Sequence, residues 1–183
     1  MTIGEAFPTV LAAARHGADW AWTRLYKDLS PSMLGYLRAK KCPDAEDVLG
    51  DAFIDVVKNL SGFDGGEREF RAWAFTICHR RLVDRLRKET HALPVSPLTE
   101  GEVGPTGDVE QDAFAALGIE RVRGLVARLS PDQQDVVLLR ILGDMTVDEV
   151  ARALGKRPGA IKALQRRALA NLKKEILEEG VPL

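Results

Sequence analysis

The chain has 183 residues, of which 45% are hydrophobic and 29% charged, and its formal net charge is −1. That length holds one ordinary domain or two small ones, and the composition is that of a folded chain rather than a disordered one. A near-neutral total excludes global attraction to nucleic acid, so any such role must rest on local basic surface or on a larger complex that supplies charge.

Helical periodicity dominates from the N-terminus onward, and strand alternation is almost absent. Val10–Ala14 and Trp20–Leu29 predict two helices. Ser30-Pro31 reads as an N-cap followed by proline at a first helical position, which predicts a separate short helix to about Lys41. Pro43 opens an acidic helix that runs to about Leu60, and the Ser61–Gly66 stretch breaks it with a loop. On a wheel of 3.6 residues per turn, Ala45, Leu49, Ala52, Val56 and Leu60 form its buried face. Asp44, Asp47, Asp51 and Asp55 fall in one stripe beside that face, and Glu46 points elsewhere. Like charges at this spacing repel by a few tenths of a kcal/mol per pair. The helix N-terminal dipole offsets this for the first two only. The stripe has no calcium-loop spacing and lacks the cleft, histidine or glycine-rich loop that accompanies catalytic carboxylates. It is either a solvated face or a docking surface for a basic partner.

A long helix from Glu67 to about Glu89 follows, with Phe70, Ala74, Phe75, Ile77, Cys78, Leu82 and Leu86 available to a core. Arg71, Arg80, Arg81, Arg85, Arg87 and Lys88 supply charge, and Trp73, Arg80, Asp84 and Arg87 lie along one side. Aromatics interleaved with cations suit a single nucleic-acid strand, although Trp73 equally suits a core. His79 reads as a surface hydrogen-bonder. From His91 to Asp108 there are three prolines, three glycines and little periodicity, which predicts a flexible linker.

Four more helical patterns follow, Val109–Arg128, Pro131–Leu142, Val147–Leu154 and Pro158–Leu177. Thr146 with Glu149 three residues on is a capping box. Gly155 closes that helix and Pro158 opens the next, which makes a helix-turn-helix. In the second of these helices Ile161, Leu164, Ala168 and Leu172 share the core face. Gly159, Lys162, Ala163 and Arg166 lie opposite, with Arg167 and Lys173 at the edges. Small residues permit close approach to base edges, and lysine and arginine reach guanine or phosphate. Arg157 occupies the position where an N-capping Ser or Thr is expected. The expected fold is all-α: two small helical domains, 1–90 and 109–183, joined by a linker at 91–108, the second a helix-turn-helix domain.

Cys42 and Cys78 belong to no CxxC or Cys/His cluster, so neither a disulfide framework nor a metal is expected, and no cofactor is. The N-terminus lacks a signal-peptide pattern, and no apolar run approaches the ~20 residues of a membrane span. A cytoplasmic protein without enzymatic chemistry is expected.

The order of these parts resembles the extracytoplasmic-function class of bacterial sigma factors, the smallest members of the sigma-70 family. "DAEDVLGDAF" is similar to the family's region-two signature, "FRAWAFTICHRRLVDRLRK" to the helix after it, and the stretch from "LSPDQQDVV" to "ALANLK" to region four. The resemblance runs from about Leu25 to Ile176. It implies that Asp44, Asp47, Val48, Asp51, Phe53 and Asp55 dock on the basic clamp helices of core RNA polymerase. It implies that Ser61, Gly62, Phe63 and Asp64, with Arg71, Trp73, Arg80, Arg81 and Arg87, hold the minus-ten promoter element, where an unstacked base is captured. Thr146, Lys156, Arg157, Gly159, Lys162, Ala163, Arg166 and Arg167 would read the minus-thirty-five element. The partners implied are core polymerase, promoter DNA and a separate anti-sigma factor, since no further domain follows Leu183. Two departures stand out: Gly50 replaces a usual glutamine, and Arg157–Ile161 replaces a more usual Ser-x-Gly-Thr-Val. The alternatives are a stand-alone helix-turn-helix regulator and an interaction module that binds polymerase or an anti-sigma factor without initiating.

Overall fold

A computed structural model describes residues 2–91 and 121–178, all helix, turn or loop with no strand among them. The elements are α1 (Phe7–Arg15), α2 (Asp19–Ala39), α3 (Ala45–Asn59), α4 (Glu67–His91), α5 (Pro131–Ile141), α6 (Val147–Leu154) and α7 (Pro158–Glu178), with single 3-10 turns at Gly4–Ala6 and Leu60–Gly62. Residues 121–127 are helical and lead into α5. The linker expected at 91–108 and the helix expected from Val109 fall largely outside the described residues.

α3 packs against α4 along most of its length, α2 packs against α1 and α3, and α5 and α6 both pack on α7. The five residues expected on the inner face of α3 are all buried. α4 is less one-sided. Phe70, Ala72, Ala74, Phe75, Ile77, Cys78 and Leu82 are all buried, and at 3.6 residues per turn they occupy more than half of its circumference. A helix apolar over so wide an arc must be enclosed rather than merely leaned upon. α1 covers one side through Phe7 and Phe70, with ring centroids 5.6 Å apart. Glu67 at the head of α4 holds the N-terminus by accepting from the Ile3 and Gly4 amides at 2.5 and 2.8 Å.

Pro31 does not start a new helix: α2 runs through it without a break. Proline removes one backbone donor and normally costs ~3 kcal/mol in a helix interior. Ala21, Leu25, Leu29, Met33, Tyr36 and Leu37 are nevertheless all buried along one continuous face, and that burial outweighs the local penalty. The Ser32 hydroxyl, next after the proline, donates to the Leu29 carbonyl at 3.0 Å, and Ser30, read as the cap of a new helix, lies inside α2. α3 begins at Ala45, two residues beyond the expected Pro43, because Asp44 adopts a left-handed conformation at φ 50°.

His79 is buried, not a surface residue. Its Nδ1 lies 2.7 Å from the Tyr36 hydroxyl, which in turn lies 3.4 Å from Asp135 Oδ1. With the ring proton on Nδ1, His79 donates to the tyrosine oxygen and the hydroxyl donates onward to the carboxylate. Burial holds the His79 pKa below its ordinary 6.5, with Asp135 opposing and Lys40 and Arg80 reinforcing the shift. The unfolded chain therefore binds the proton before the folded one does. Stability contributed by neutral His79 is intact above about pH 6.5 and falls as the pH drops below it toward the depressed folded pKa. Urea midpoints measured between about pH 7.5 and 5.5 should decline more steeply for the natural chain than for His79→Gln, which keeps a hydrogen-bonding group but does not titrate.

Candidate nucleic-acid interface

Thr146 caps α6: its hydroxyl accepts from the Glu149 amide at 3.2 Å, and Glu149 Oε2 accepts from the Thr146 amide at 2.6 Å. Gly155 closes the helix at φ 63°, a left-handed conformation that costs glycine little. The chain then turns within three residues, and the Arg157 carbonyl starts α7 by accepting from Ala160 and Ile161 at 2.9 and 3.2 Å. Ile161 and Ala168 are fully buried beneath the helix, and Leu164 and Leu172 pack partly against the core. This leaves Arg157, Gly159, Lys162, Arg166 and Arg167 exposed on the outer face, with Ala163 half-buried at its margin. A helix N-terminus carrying exposed cations attracts phosphate through both its backbone amides and its charge. The two other residues expected here have internal partners: the Thr146 hydroxyl serves the cap, and Lys156 pairs with Asp132 at 2.9 Å.

The acidic stripe on α3 divides. Asp55 accepts two hydrogen bonds from Arg81, at 2.5 and 2.6 Å, and these hold its pKa below the usual carboxylate range. Asp44 pairs with Arg85. Both carboxylates at the ends of the stripe are therefore turned toward α4, which offsets the like-charge repulsion expected from the sequence. Asp47 and Asp51 remain exposed. Beside them stand Ile54 and Val57, each 50% exposed, which the wheel reading missed because it placed only the charges on the outer face. Val48 and Phe53, expected to meet a partner, are instead core residues at 4% and 8% exposure. Phe53 lies under Tyr26 with ring centroids 4.7 Å apart. Gly50 sits in the middle of the exposed ridge, and a Cβ added there would touch nothing within 4 Å.

Two concavities border the loop before α4. One, of about 600 Å³, lies between α3 and α4 and includes Asn59, Gly62, Trp73, Ile77, Arg80 and Arg81 in its lining. Three of the four residues on the expected α4 side, Trp73, Arg80 and Asp84, line it, and Arg87 is exposed one turn further on. The other, of about 620 Å³, is lined by Arg15, Trp22, Val57, Ser61, Phe63 and Asp64, among others. Phe63 is itself buried, its ring 5.1 Å from Trp73 and 5.3 Å from Phe70. Trp73 packs on the aromatic cluster and also lines the concavity. Arg15 donates to the Phe63 carbonyl at 2.5 Å and fixes the loop from α1. Neither Arg15 nor Trp22 was marked by the sequence, because each reaches the loop only through folding. Gly65 turns that loop at φ 156°, where a Cβ would lie 2.9 Å from Glu69 Cβ.

Arg71 does not face this surface. It donates to Asp28 at 2.6 Å and to Ser32 at 3.3 Å, and both members of the ion pair are largely buried. Burial raises the Asp28 pKa and Arg71 opposes that rise. The second oxygen of Asp28, Oδ1, has no hydrogen-bond partner among the described residues, so removing the arginine strands a desolvated carboxylate.

Among the described residues no three His, Cys, Asp or Glu side chains come together as a metal would require, and no helix is long and apolar enough to cross a membrane.

Residues 25–92 match the Sigma-70 region 2 family and residues 119–172 match Sigma-70, region 4. The chain is 33% identical over 165 residues to the ECF RNA polymerase sigma factor BldN of Streptomyces coelicolor, covering 87% of this chain and 61% of that one. It is 28% identical to SigD of Mycobacterium tuberculosis over 97% of this chain and 87% of that one. With SigK of the same species it shares 33% identity over 70% of each chain. Two solved structures share the fold. CnrH, in complex with the cytosolic domain of CnrY, superposes with a TM-score of 0.64 at 24% identity, over 94% of this chain and 97% of that one. RpoE of Bartonella quintana, in complex with the anti-sigma factor NepR, superposes at 0.60 and 19% identity, over 85% and 96%.

Arg71→Met is expected to lower unfolding free energy by about 3 kcal/mol, because it leaves Asp28 buried without its partner. Arg80→Ala, on the exposed side of the same helix, is expected to change it by less than about 0.5 kcal/mol. Urea denaturation of the two variants checks the contrast.

Proposed function

The chain belongs to the extracytoplasmic-function class of sigma-70 RNA polymerase sigma factors, and from that premise we propose that it binds core RNA polymerase and directs initiation at promoters carrying minus-ten and minus-thirty-five elements. The observation that carries this reading is the exposed cationic face of α7 in a helix-turn-helix whose first helix is capped at both ends, in one chain with a region-two unit. The chemistry of transcription is then the polymerase's, and this chain supplies recognition. It acts wherever the polymerase acts, which for this class is the cytoplasm.

In this reading the unit within residues 1–90 docks on core and holds the minus-ten element, the unit within 109–183 reads the minus-thirty-five element, and 91–108 connects them. Core docking falls to Asp47 and Asp51, with Ile54 and Val57 supplying apolar contact and Gly50 allowing close approach. The paired Asp44 and Asp55 hold α3 against α4. The minus-ten strand lies along Trp73, Arg80 and Arg87 and reaches the loop at Ser61–Asp64, with Arg81 at the rim. In α7, Arg157, Lys162, Arg166 and Arg167 address phosphates and base edges, and Gly159 and Ala163 let the helix settle into the major groove. A separate anti-sigma protein is the expected regulator of a chain of this class.

Run-off transcription with core polymerase on a randomised promoter library should select two sequence elements. Tight duplex binding without core, and no transcription, would support a stand-alone regulator instead. Asp47→Lys with Asp51→Lys should weaken core binding about tenfold while circular dichroism is unchanged, because both side chains are exposed. Arg166→Ala should reduce discrimination at one minus-thirty-five position by about 1–3 kcal/mol if it makes a bidentate base contact. A uniform loss across all promoters would assign it to phosphate.

A further inference from the structure

The loop before α4 is held from several sides. At its end, Glu69 Oε2 accepts from the Gly66 amide at 3.2 Å. In its middle, the Phe63 ring sits against Phe70 and Trp73. From outside, Arg15, the last residue of α1, donates through Nη2 to the Phe63 carbonyl at 2.5 Å. The first two contacts lie within the region-two match, which begins at residue 25. The third comes from a helix that precedes that match. α1 is nevertheless firmly built in. Val10, Leu11 and Ala14 are buried along it, and Phe7 packs on the same Phe70 ring that Phe63 meets. Glu67, one residue after the loop, accepts from the Ile3 and Gly4 amides. Residues 3–15 therefore bracket the loop, at the head of α4 and again at Phe63.

A trans peptide unit is planar, and its carbonyl and N–H point opposite ways. The described peptide bonds are all trans, so holding the Phe63 carbonyl toward α1 turns the Asp64 N–H away from it. Gly65 and Gly66 follow directly, and their backbone freedom would otherwise let this plane rotate. Ser61, Gly62 and Asp64 are exposed, and Arg15, Ser61 and Asp64 border one concavity. Arg15 is itself exposed, and one hydrogen bond at such a residue adds little to global stability. Its effect is on where the loop's groups point. We infer that Arg15 is a positioning residue for minus-ten recognition, through which α1 presets the backbone of the Ser61–Gly66 loop. The inference rests on the proposed function and deepens it. Groups preset in this way lose less freedom on binding, so the bond contributes to base discrimination rather than to folding.

The test begins with hydrogen–deuterium exchange on the full chain alone. Arg15→Ala should speed exchange across residues 61–66 at least about threefold. Its urea midpoint should match that of Arg24→Ala, a control at an exposed arginine on α2. Run-off transcription with core polymerase then compares promoters changed at single bases in either element. Arg15→Ala should reduce preference for the best minus-ten sequence about three- to tenfold. Preference at minus thirty-five should not change, and loss of folded protein would move neither ratio. Arg15→Lys keeps a charged donor of similar reach and should recover most of both effects. Unchanged exchange, or faster exchange with unchanged minus-ten preference, overturns the inference. An equal loss in Arg24→Ala overturns it by making the effect one of overall charge. A uniform loss over all minus-ten sequences overturns it by making Arg15 a phosphate contact. A natural chain that selects no promoter overturns the proposed function, and with it any part for Arg15 in recognition. The exchange comparison needs neither polymerase nor DNA, so it separates that failure from failure of the loop contact.

Discussion

The constraint on which the rest of the structure depends is that α4 must be enclosed. Its buried residues wrap around more than half of its circumference, and no single neighbouring helix can cover such an arc. α1 and α2 close one side through Phe7 and the Asp28–Arg71 pair. α3 closes another through its apolar face and the Asp55–Arg81 and Asp44–Arg85 pairs. The remaining side, at Phe75, is closed by residues of the second unit, and Asp135 lies 3.4 Å from the Tyr36 hydroxyl that His79 contacts. The strip carrying Trp73, Arg80, Asp84 and Arg87 faces outward along the middle of the helix and borders the concavity beside α3.

Enclosure also sorts the arginines of α4. Arg71, Arg81 and Arg85 all turn toward carboxylates on neighbouring helices, whereas Arg80 and Arg87 project into solvent. A run of cations that looks uniform in sequence is therefore divided between holding the helix in place and projecting charge into solvent. The ion pairs with exposed members contribute little to stability individually. Their effect is positional, since they fix which aspartates of α3 remain available.

The inner faces of α3 and α7 were legible because helical period alone determines them, and the helix-turn-helix was legible because its cap, glycine and proline are all local signals. What stayed hidden depends on contacts between distant residues. Nothing near Asp55 in sequence announces Arg81, and nothing near His79 announces Tyr36. Pro31 misled for a related reason: its local preference is real, but burial along the whole of α2 overrides it. Val48 and Phe53 were read as surface from the family motif, whereas packing turns both into the core. Ile54 and Val57 show the converse, apolar residues that packing leaves exposed.

Phe75 and Met145, buried in one cluster, come from distant parts of the chain, which has a consequence for synthesis. A ribosome adding about 5–20 residues per second completes α4 seconds before it reaches Asp135 and Met145. For that interval the nascent first unit has Phe75, Tyr36 and Lys40 without their later cover. The order of translation therefore gives each new molecule a brief period in which its first half can meet other proteins before its second half can close over it.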